Sequence, residues 1–178
     1  MEFSKKVAKV FAVIAVAVSP TAVFADYMAT GTFEETVDVD GAAIVHVSNE
    51  SGAIEVTGDD VDQVTIRAKI RVNKRLSASN PQRASQIIRS VKRSPPVSVE
   101  DGRIDISKLR GRFQRHASVS YEIIVPRDSE VTIHSVSGNV KVSGVAGVVN
   151  ATSDEGKVTL ADASVTDDAE SSVSALTP

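Results

Sequence analysis

Short runs in which apolar, mostly β-branched residues occupy every second position dominate this sequence. Alternation of this kind is typical of short β-strands that bury one face and expose the other. The runs span residues 37–39, 45–47, 54–56, 64–68, 70–72, 97–99, 104–106, 119–125, 131–133, 140–142 and 158–160. The sequence therefore predicts a mostly β protein, and its 178 residues suit a single folded domain.

Several of these runs belong to copies of one longer pattern. Residues 45–56 (VHVSNESGAIEV), 131–142 (VTIHSVSGNVKV) and 149–160 (VNATSDEGKVTL) each contain a strand, a polar corner, a glycine and a second strand. The copies are offset by 86 and then by 18 residues, which makes Gly52, Gly138 and Gly156 equivalent. Glycine suits a corner that needs a positive φ or a close backbone approach. The repeat predicts a solenoid-like or coiled β-sheet, similar to a β-helix, in preference to the alternative β-sandwich.

One segment departs from the alternation and follows helical spacing. Between Asn80-Pro81 and Pro95-Pro96, apolar residues recur on one side of the helical turn and basic residues fill other positions. The apolar residues are Ala84, Ile87, Ile88 and Val91. We therefore predict one short amphipathic helix over residues 81–93 that covers an open end of the sheet.

The first 25 residues have the features of a signal peptide. A basic start is followed by the apolar run 10–18, and Val23-Phe24-Ala25 offers a cleavage site before Asp26. The apolar run is shorter than the roughly 20 residues needed to cross a bilayer, and no later segment is apolar enough to do so. We expect an exported protein, periplasmic, secreted or at the cell surface, with one β-repeat domain over 26–161 and a polar tail over 162–178.

Candidate catalytic and metal-binding residues are few. The chain has no cysteine, which excludes disulfides, thiolate nucleophiles and cysteine-ligated metal sites. His46, His116 and His134 occur without a G-x-S-x-G motif or other catalytic signature. Asp59, Asp60 and Asp62 do not match a calcium-binding loop, so the sequence predicts a protein that is not an enzyme and has no metal or cofactor.

Charge is distributed unevenly along the chain. Residues 26–66 contain ten acids and no base, residues 67–115 contain fourteen bases and three acids, and residues 116–178 are again acidic. Oppositely charged strands can form cross-strand ion pairs, or the bases can face an anionic partner. We expect ion pairing for the strand bases Arg67, Lys69 and Arg71. The candidate anion-binding or partner-binding residues are Arg89, Lys92, Arg93, Arg110, Arg112 and Arg115.

The corner and strand motifs resemble a known family. Residues 45–58 follow Val-x-Val-x-Asn-x-Ser-Gly-x-Ile-x-Val-x-Gly, and residues 121–126 (YEIIVP) lead into residues 136–144 (VSGNVKVSG). This pattern, over about residues 33–160, is similar to the bacterial "putative adhesin" family of domains of unknown function. The resemblance implies an exported, largely β, repeat-like domain.

Taken together, these features predict an exported, non-enzymatic surface or interaction domain of the bacterial envelope, adhesin-like in function. The predicted partner is an anionic glycan or an acidic protein, and only 4% of residues are aromatic, which disfavours nucleic acid. One alternative is a periplasmic sensory or accessory module that serves an envelope regulator. A less favoured alternative is a small carbohydrate-active enzyme of solenoid type.

Overall fold

The computed structural model describes residues 28–100, 102–162 and 164–165. Within these residues the chain forms β-strands, two α-helices and one short 3-10 helix at Gly111–Phe113. The prediction of a mostly β protein is confirmed. The elements are β1 (Thr30–Asp38), β2 (Ile44–Ser51), β3 (Ile54–Asp59), β4 (Gln63–Val72), α1 (Lys74–Ser79), α2 (Pro81–Arg93), β5 (Val97–Glu100), β6 (Arg103–Ile106), β7 (Ala117–Pro126), β8 (Glu130–Ser137), β9 (Val140–Ser143), β10 (Val148–Glu155), β11 (Val158–Ala161) and β12 (Ser164–Val165).

The strands form two six-stranded mixed sheets. One has the order β1-β4-β7-β3-β9-β11 and the other has the order β12-β10-β8-β2-β6-β5. Pairing is antiparallel along β1, β4 and β7 and between β5 and β6, whereas the remaining neighbours are parallel. The buried residues of both sheets belong to one hydrophobic cluster. Two layers therefore share one core.

The three sequence copies are stacked on one another. Their first strands are β2, β8 and β10 in one sheet, and their second strands are β3, β9 and β11 in the other. Val45 pairs with Val131, which pairs with Val149, so the strand register has the same offsets as the sequence alignment. We call this part of the molecule the repeat stack. The predicted equivalence of the copies is confirmed by the strand register.

Glycines at the corners allow the copies to approach closely. Gly138 has a φ of +147°, and a Cβ on it would overlap the carbonyl of Gly52 in the neighbouring copy. A Cβ on Gly156 would likewise overlap the carbonyl of Gly138. The Gly138 amide donates to the carbonyl of Glu155 at 3.1 Å, which joins two corners directly. Glycine is needed here because any side chain would push the stacked backbones apart.

The solenoid prediction is not confirmed for the chain as a whole. A solenoid repeats one parallel coil, but here β4 pairs with β1 and β7 in antiparallel fashion, and β5 and β6 form an antiparallel hairpin. These strands lie outside the repeated pattern and have no corner glycine that stacks on another copy. The fold is two mixed sheets that contain a parallel repeat stack.

Helix α2 has the predicted bounds, 81–93. The Asn80 side chain caps it by accepting a hydrogen bond from the Arg83 amide at 2.9 Å, and Pro81 occupies its first turn. The predicted apolar stripe is buried and packs on β1 and β4, where Ile88 lies over Gly31. The helix therefore covers one edge of the first sheet. The sequence patterns did not predict α1, which precedes it.

Both chain ends carry predictions that fall largely outside the described residues. The signal peptide predicted over 1–25 lies outside them, as does the tail beyond residue 165. Ser164–Val165 form β12 and pair in parallel with β10, so an extra short strand begins within the segment predicted as a polar tail. In the part of the chain that the structure describes, no helix is both long and apolar enough to cross a bilayer.

Candidate functional site

A groove of about 540 Å³ lies between α2 and the segment 107–116, which we call the basic loop. We call this groove the helix groove. From α2 it is lined by Arg83, Arg89 and Arg93, and from the basic loop by Phe113 and His116. The structure therefore brings the basic residues of α2 close to the basic loop, which follows later in the sequence.

Hydrogen bonds at both ends hold the basic loop against the helical segment. At its start, the Ser107 amide donates to the carbonyl of Pro96 at 2.8 Å. At its end, the Asn73 amide donates to the carbonyl of His116 at 2.8 Å, and the His116 amide donates to the carbonyl of Phe113 at 3.0 Å. The basic loop is thus held by backbone hydrogen bonds at both of its ends.

The helix groove is positively charged and its bases lack internal partners. Arg83, Arg89 and Arg93 are exposed, and none of the groove's lining residues is an Asp or Glu. Within the described ranges, no ion pair involves any of these three arginines. Their guanidinium groups can therefore bind an anion without first breaking an ion pair in the protein.

A second groove of about 520 Å³ adjoins the first and shares Ser90 and Phe113 with it. Its basic residues are Lys108 and Arg110, and its other walls include Pro95 and Pro96 after α2. The Lys108 ammonium lies 3.9 Å from a Glu50 carboxylate oxygen. Arg110 is exposed and has no ion-pair partner in the described part of the chain.

The predicted binding residues are divided among several places. Arg89 and Arg93 share the helix groove, Arg110 lines the second groove, and Arg115 lines a third depression of about 190 Å³. Lys92 is exposed on α2 and lines none of these three grooves. The side chain of Arg112 lies outside the described part of the structure. The six residues therefore do not form one compact cluster, and their role as a site remains a prediction.

Two lining residues with basic side chains, Arg83 and His116, were not among the predicted binding residues. Arg83 lies on the same face of α2 as Gln86, Ser90 and Arg93, because residues three or four apart share a helix face. This spacing could have identified Arg83 from the sequence. The position of His116 depends on how the basic loop folds back onto α1, and no local pattern indicates that contact.

Bases on the strands do pair with acids, although not at every predicted position. Arg67 Nε lies 3.4 Å from a Glu34 carboxylate oxygen on the neighbouring strand β1. Lys69 and Arg71 lie opposite Thr32 and Thr30 and form no ion pair within the described ranges. The ion-pairing prediction is therefore confirmed for Arg67 and wrong for the other two, because β1 presents hydroxyl-bearing residues there. Further pairs join Glu55 to Lys141 at 2.8 Å and Asp60 to Arg127 at 3.3 Å.

The histidines on strands have neutral or basic partners. Arg103 Nη2 donates to His46 Nδ1 at 3.0 Å, and His134 Nδ1 lies 3.1 Å from Thr152 Oγ1. In the described residues, no cluster of three or more metal-ligating side chains occurs.

Glu35 on β1 is partly buried, and this burial raises the pKa of its carboxyl above the ordinary value.

Known proteins similar to this chain are few and distant. No family model and no curated protein matches the chain. A solved structure named "putative cell adhesion protein", from Clostridium sporogenes, is 13% identical, with a TM-score of 0.46 over 74% of this chain and 61% of that chain. The present chain thus spans less than two thirds of that neighbour, and a likeness this distant supports no functional argument. The resemblance to the "putative adhesin" family accordingly remains a prediction.

Proposed function

We propose that this protein is an exported, non-enzymatic interaction domain of the bacterial envelope, adhesin-like in function, that binds an anionic glycan in the helix groove. The observation that supports the proposal is the set of three exposed arginines that line this groove, whose described lining residues include no Asp or Glu. In this proposal, the repeat stack supports the part of the protein that carries the helix groove.

The chemistry of arginine supports an anionic ligand. A guanidinium group is always charged at ordinary pH and offers a planar fork of donors that matches a carboxylate, sulfate or phosphate. Several such groups in one concave surface concentrate positive potential and attract anions from solution. Because Arg83, Arg89 and Arg93 have no internal ion pair within the described ranges, a ligand does not have to replace an acidic side chain of the protein.

The neutral residues of the groove favour a carbohydrate over a protein partner. Asn80, Gln82, Gln86 and Ser90 supply amide and hydroxyl groups beside the arginines. These groups can donate and accept hydrogen bonds with a ligand rich in hydroxyls. Protein interfaces usually contain a more apolar core with aromatic anchors, and Phe113 is the single aromatic side chain that lines this groove. An anionic glycan therefore fits the lining better than an acidic protein.

The alternative predictions gain less support from this groove. Glycoside hydrolases use a pair of carboxylates as acid, base or nucleophile, and among the described residues no carboxylate lines the groove. A sensory or accessory module would use the same surface for a different partner, and no residue cluster favours that role specifically. Binding without chemistry is the function that the lining supports best.

The proposal can be tested by retention of the mature protein on immobilised polygalacturonate, with neutral dextran as the control matrix. The wild type should be retained at low salt and released as salt approaches 1 M, where the Debye length falls to about 3 Å. Combined Arg83→Gln, Arg89→Gln and Arg93→Gln substitutions should abolish retention.

A charge-matched variant separates a site from a general charge effect. Arg67→Gln, Lys69→Gln and Arg103→Gln together remove the same charge from the strands, away from the groove. This variant should be retained like the wild type. Equal loss in both triple variants, or wild-type protein that ignores the matrix at every salt concentration, would contradict the proposal.

A further inference from the structure

The helix groove and the second groove are neighbours, because Ser90 and Phe113 line both of them. Each has a volume of about 500 Å³ or more. Ser90 lies on α2 and Phe113 on the basic loop, so the two shared residues stand on opposite walls. The two grooves therefore adjoin where α2 and the basic loop face each other.

The bases without an ion pair in the described residues are spread over both grooves. Arg83 and Arg93 are ten residues apart on α2, and at 1.5 Å of rise per residue that separation is about 15 Å. Arg110 continues the series into the second groove. A single anionic group can contact one or two of these side chains, whereas a chain that carries an anion on each unit can contact them in succession.

The two grooves differ in the character of their walls. The helix groove offers charge and amide groups, whereas the second groove includes Val91, Pro95, Pro96, Val97 and Leu109. Sugar rings present hydroxyls at their edges and C–H groups on their faces, so a linear glycan can use both kinds of wall. An apolar wall beside a single exposed base is consistent with contact to the body of a sugar chain.

We propose that the two grooves form one continuous site for a linear glycan with repeated carboxylates, such as a polyuronate. Arg83, Arg89 and Arg93 hold successive carboxylates in the helix groove, and Arg110 holds a further carboxylate in the second groove. This inference rests on the proposed function, and it adds that the ligand is a polymer bound over several units instead of a single acidic sugar.

The test compares oligogalacturonates of increasing length by calorimetry, with neutral maltooligosaccharides of the same lengths as controls. If one ligand fills both grooves, a hexamer should bind at least about 30-fold more tightly than a dimer. Once one end of the hexamer is bound in the helix groove, its other end binds the second groove at a high effective concentration. The larger number of binding registers on a longer chain would by itself account for only about fivefold.

Two single variants locate the effect. Arg110→Gln should weaken the hexamer and leave the dimer unchanged, and Arg93→Gln should weaken both. Because both side chains are exposed, neither variant should alter the circular dichroism melting curve.

The possible outcomes are distinguishable. If dimer and hexamer bind equally and Arg110→Gln has no effect, the continuous site is wrong while the proposed function stands. If no oligomer of any length binds, the proposed function itself fails. If an oligoglutamate of matched charge binds as tightly as the hexamer, the assignment to a glycan is overturned.

Discussion

The repeat stack and the helix groove differ in how their charged side chains are paired. In the repeat stack, Lys141 of one copy pairs with Glu55 of the next at 2.8 Å, and backbone hydrogen bonds join the corners. In the helix groove, Arg83, Arg89 and Arg93 are exposed and have no ion pair within the described ranges. Under the proposed function, the stack is the support and the helix groove binds the partner.

Packing is tight in the repeat stack and open around the helix groove. Corner glycines of the stack leave no room for even a Cβ, so its geometry is tightly determined. The polar side of α2 borders an open groove, where side chains can change without disturbing the core. Substitutions should therefore affect stability mainly in the stack and binding mainly in the groove.

The largest stability effect is expected from Gly138→Ala. The added Cβ would overlap the Gly52 carbonyl, and the positive φ disfavours any side chain, so the free energy of unfolding should fall by about 3 kcal/mol. Gly41→Ala is the matched control, since Gly41 also has a positive φ but no atom lies near its added Cβ. That control should lose only about 1 kcal/mol in denaturant titration. Equal losses would show that close stacking of the corners contributes nothing.

A smaller effect of opposite sign is expected inside the stack at Ser135. Its Oγ is buried with no hydrogen-bond partner among the described residues. The equivalent residues are satisfied, since Asn49 Nδ2 donates to the Val119 carbonyl at 2.9 Å and Ser153 Oγ donates to the Gly138 carbonyl at 2.9 Å. Ser135→Ala should raise the free energy of unfolding by about 1 kcal/mol, because it removes an unpaired hydroxyl. Ser153→Ala should lower it, and a loss in both variants would contradict this account of Ser135.

The ion pair between copies should contribute still less. Lys141→Gln removes a pair whose side chains are about half exposed, so unfolding should become easier by only about 0.5 kcal/mol. The difference from the wild type should disappear at high salt, because exposed pairs are screened. Thermal melting at low and high salt measures it. A loss that persists at high salt would show that Lys141 acts through packing.

Glu35 gives a pH-dependent effect at the edge that α2 covers. Burial raises the pKa of its carboxyl, so the folded protein binds this proton more tightly than the unfolded chain does. The stability that this group contributes is therefore present below its ordinary pKa of 4.5 and is lost as the pH rises through the folded value. Glu35→Gln should raise the melting temperature at pH 7 and have no effect well below pH 4.5. A variant that melts at the same temperature as the wild type at pH 7 would contradict the role of burial.

The regular features of the fold could be predicted from sequence because they depend on local patterns. Alternation located most strands. The spacing of Ile87, Ile88 and Val91 predicted the helix α2, and the prolines on either side of it predicted its bounds. The offset between copies gave the register of the stack, since equivalent apolar residues must share one core. Helix α1 has a single large apolar residue, Leu76, and therefore no periodic signal.

The candidate site was harder to predict than the strands. Arg89 and Arg93 were identified from their charge alone, but the groove exists because the basic loop folds against α2. The end of the basic loop is positioned by a backbone hydrogen bond from Asn73, at the start of α1, to His116, and side-chain patterns do not encode such a bond. The distribution of Arg110 and Arg115 between separate grooves has the same origin.

The central claim is that the arginines of the helix groove serve binding and not folding. Its most direct test is the melting temperature of the wild type and of the combined Arg83→Gln, Arg89→Gln and Arg93→Gln variant, each with and without polygalacturonate. We predict equal melting temperatures without the ligand, a rise for the wild type when ligand is added, and no rise for the variant. A variant that melts well below the wild type without ligand, or that gains as much stability from the ligand, would contradict the claim.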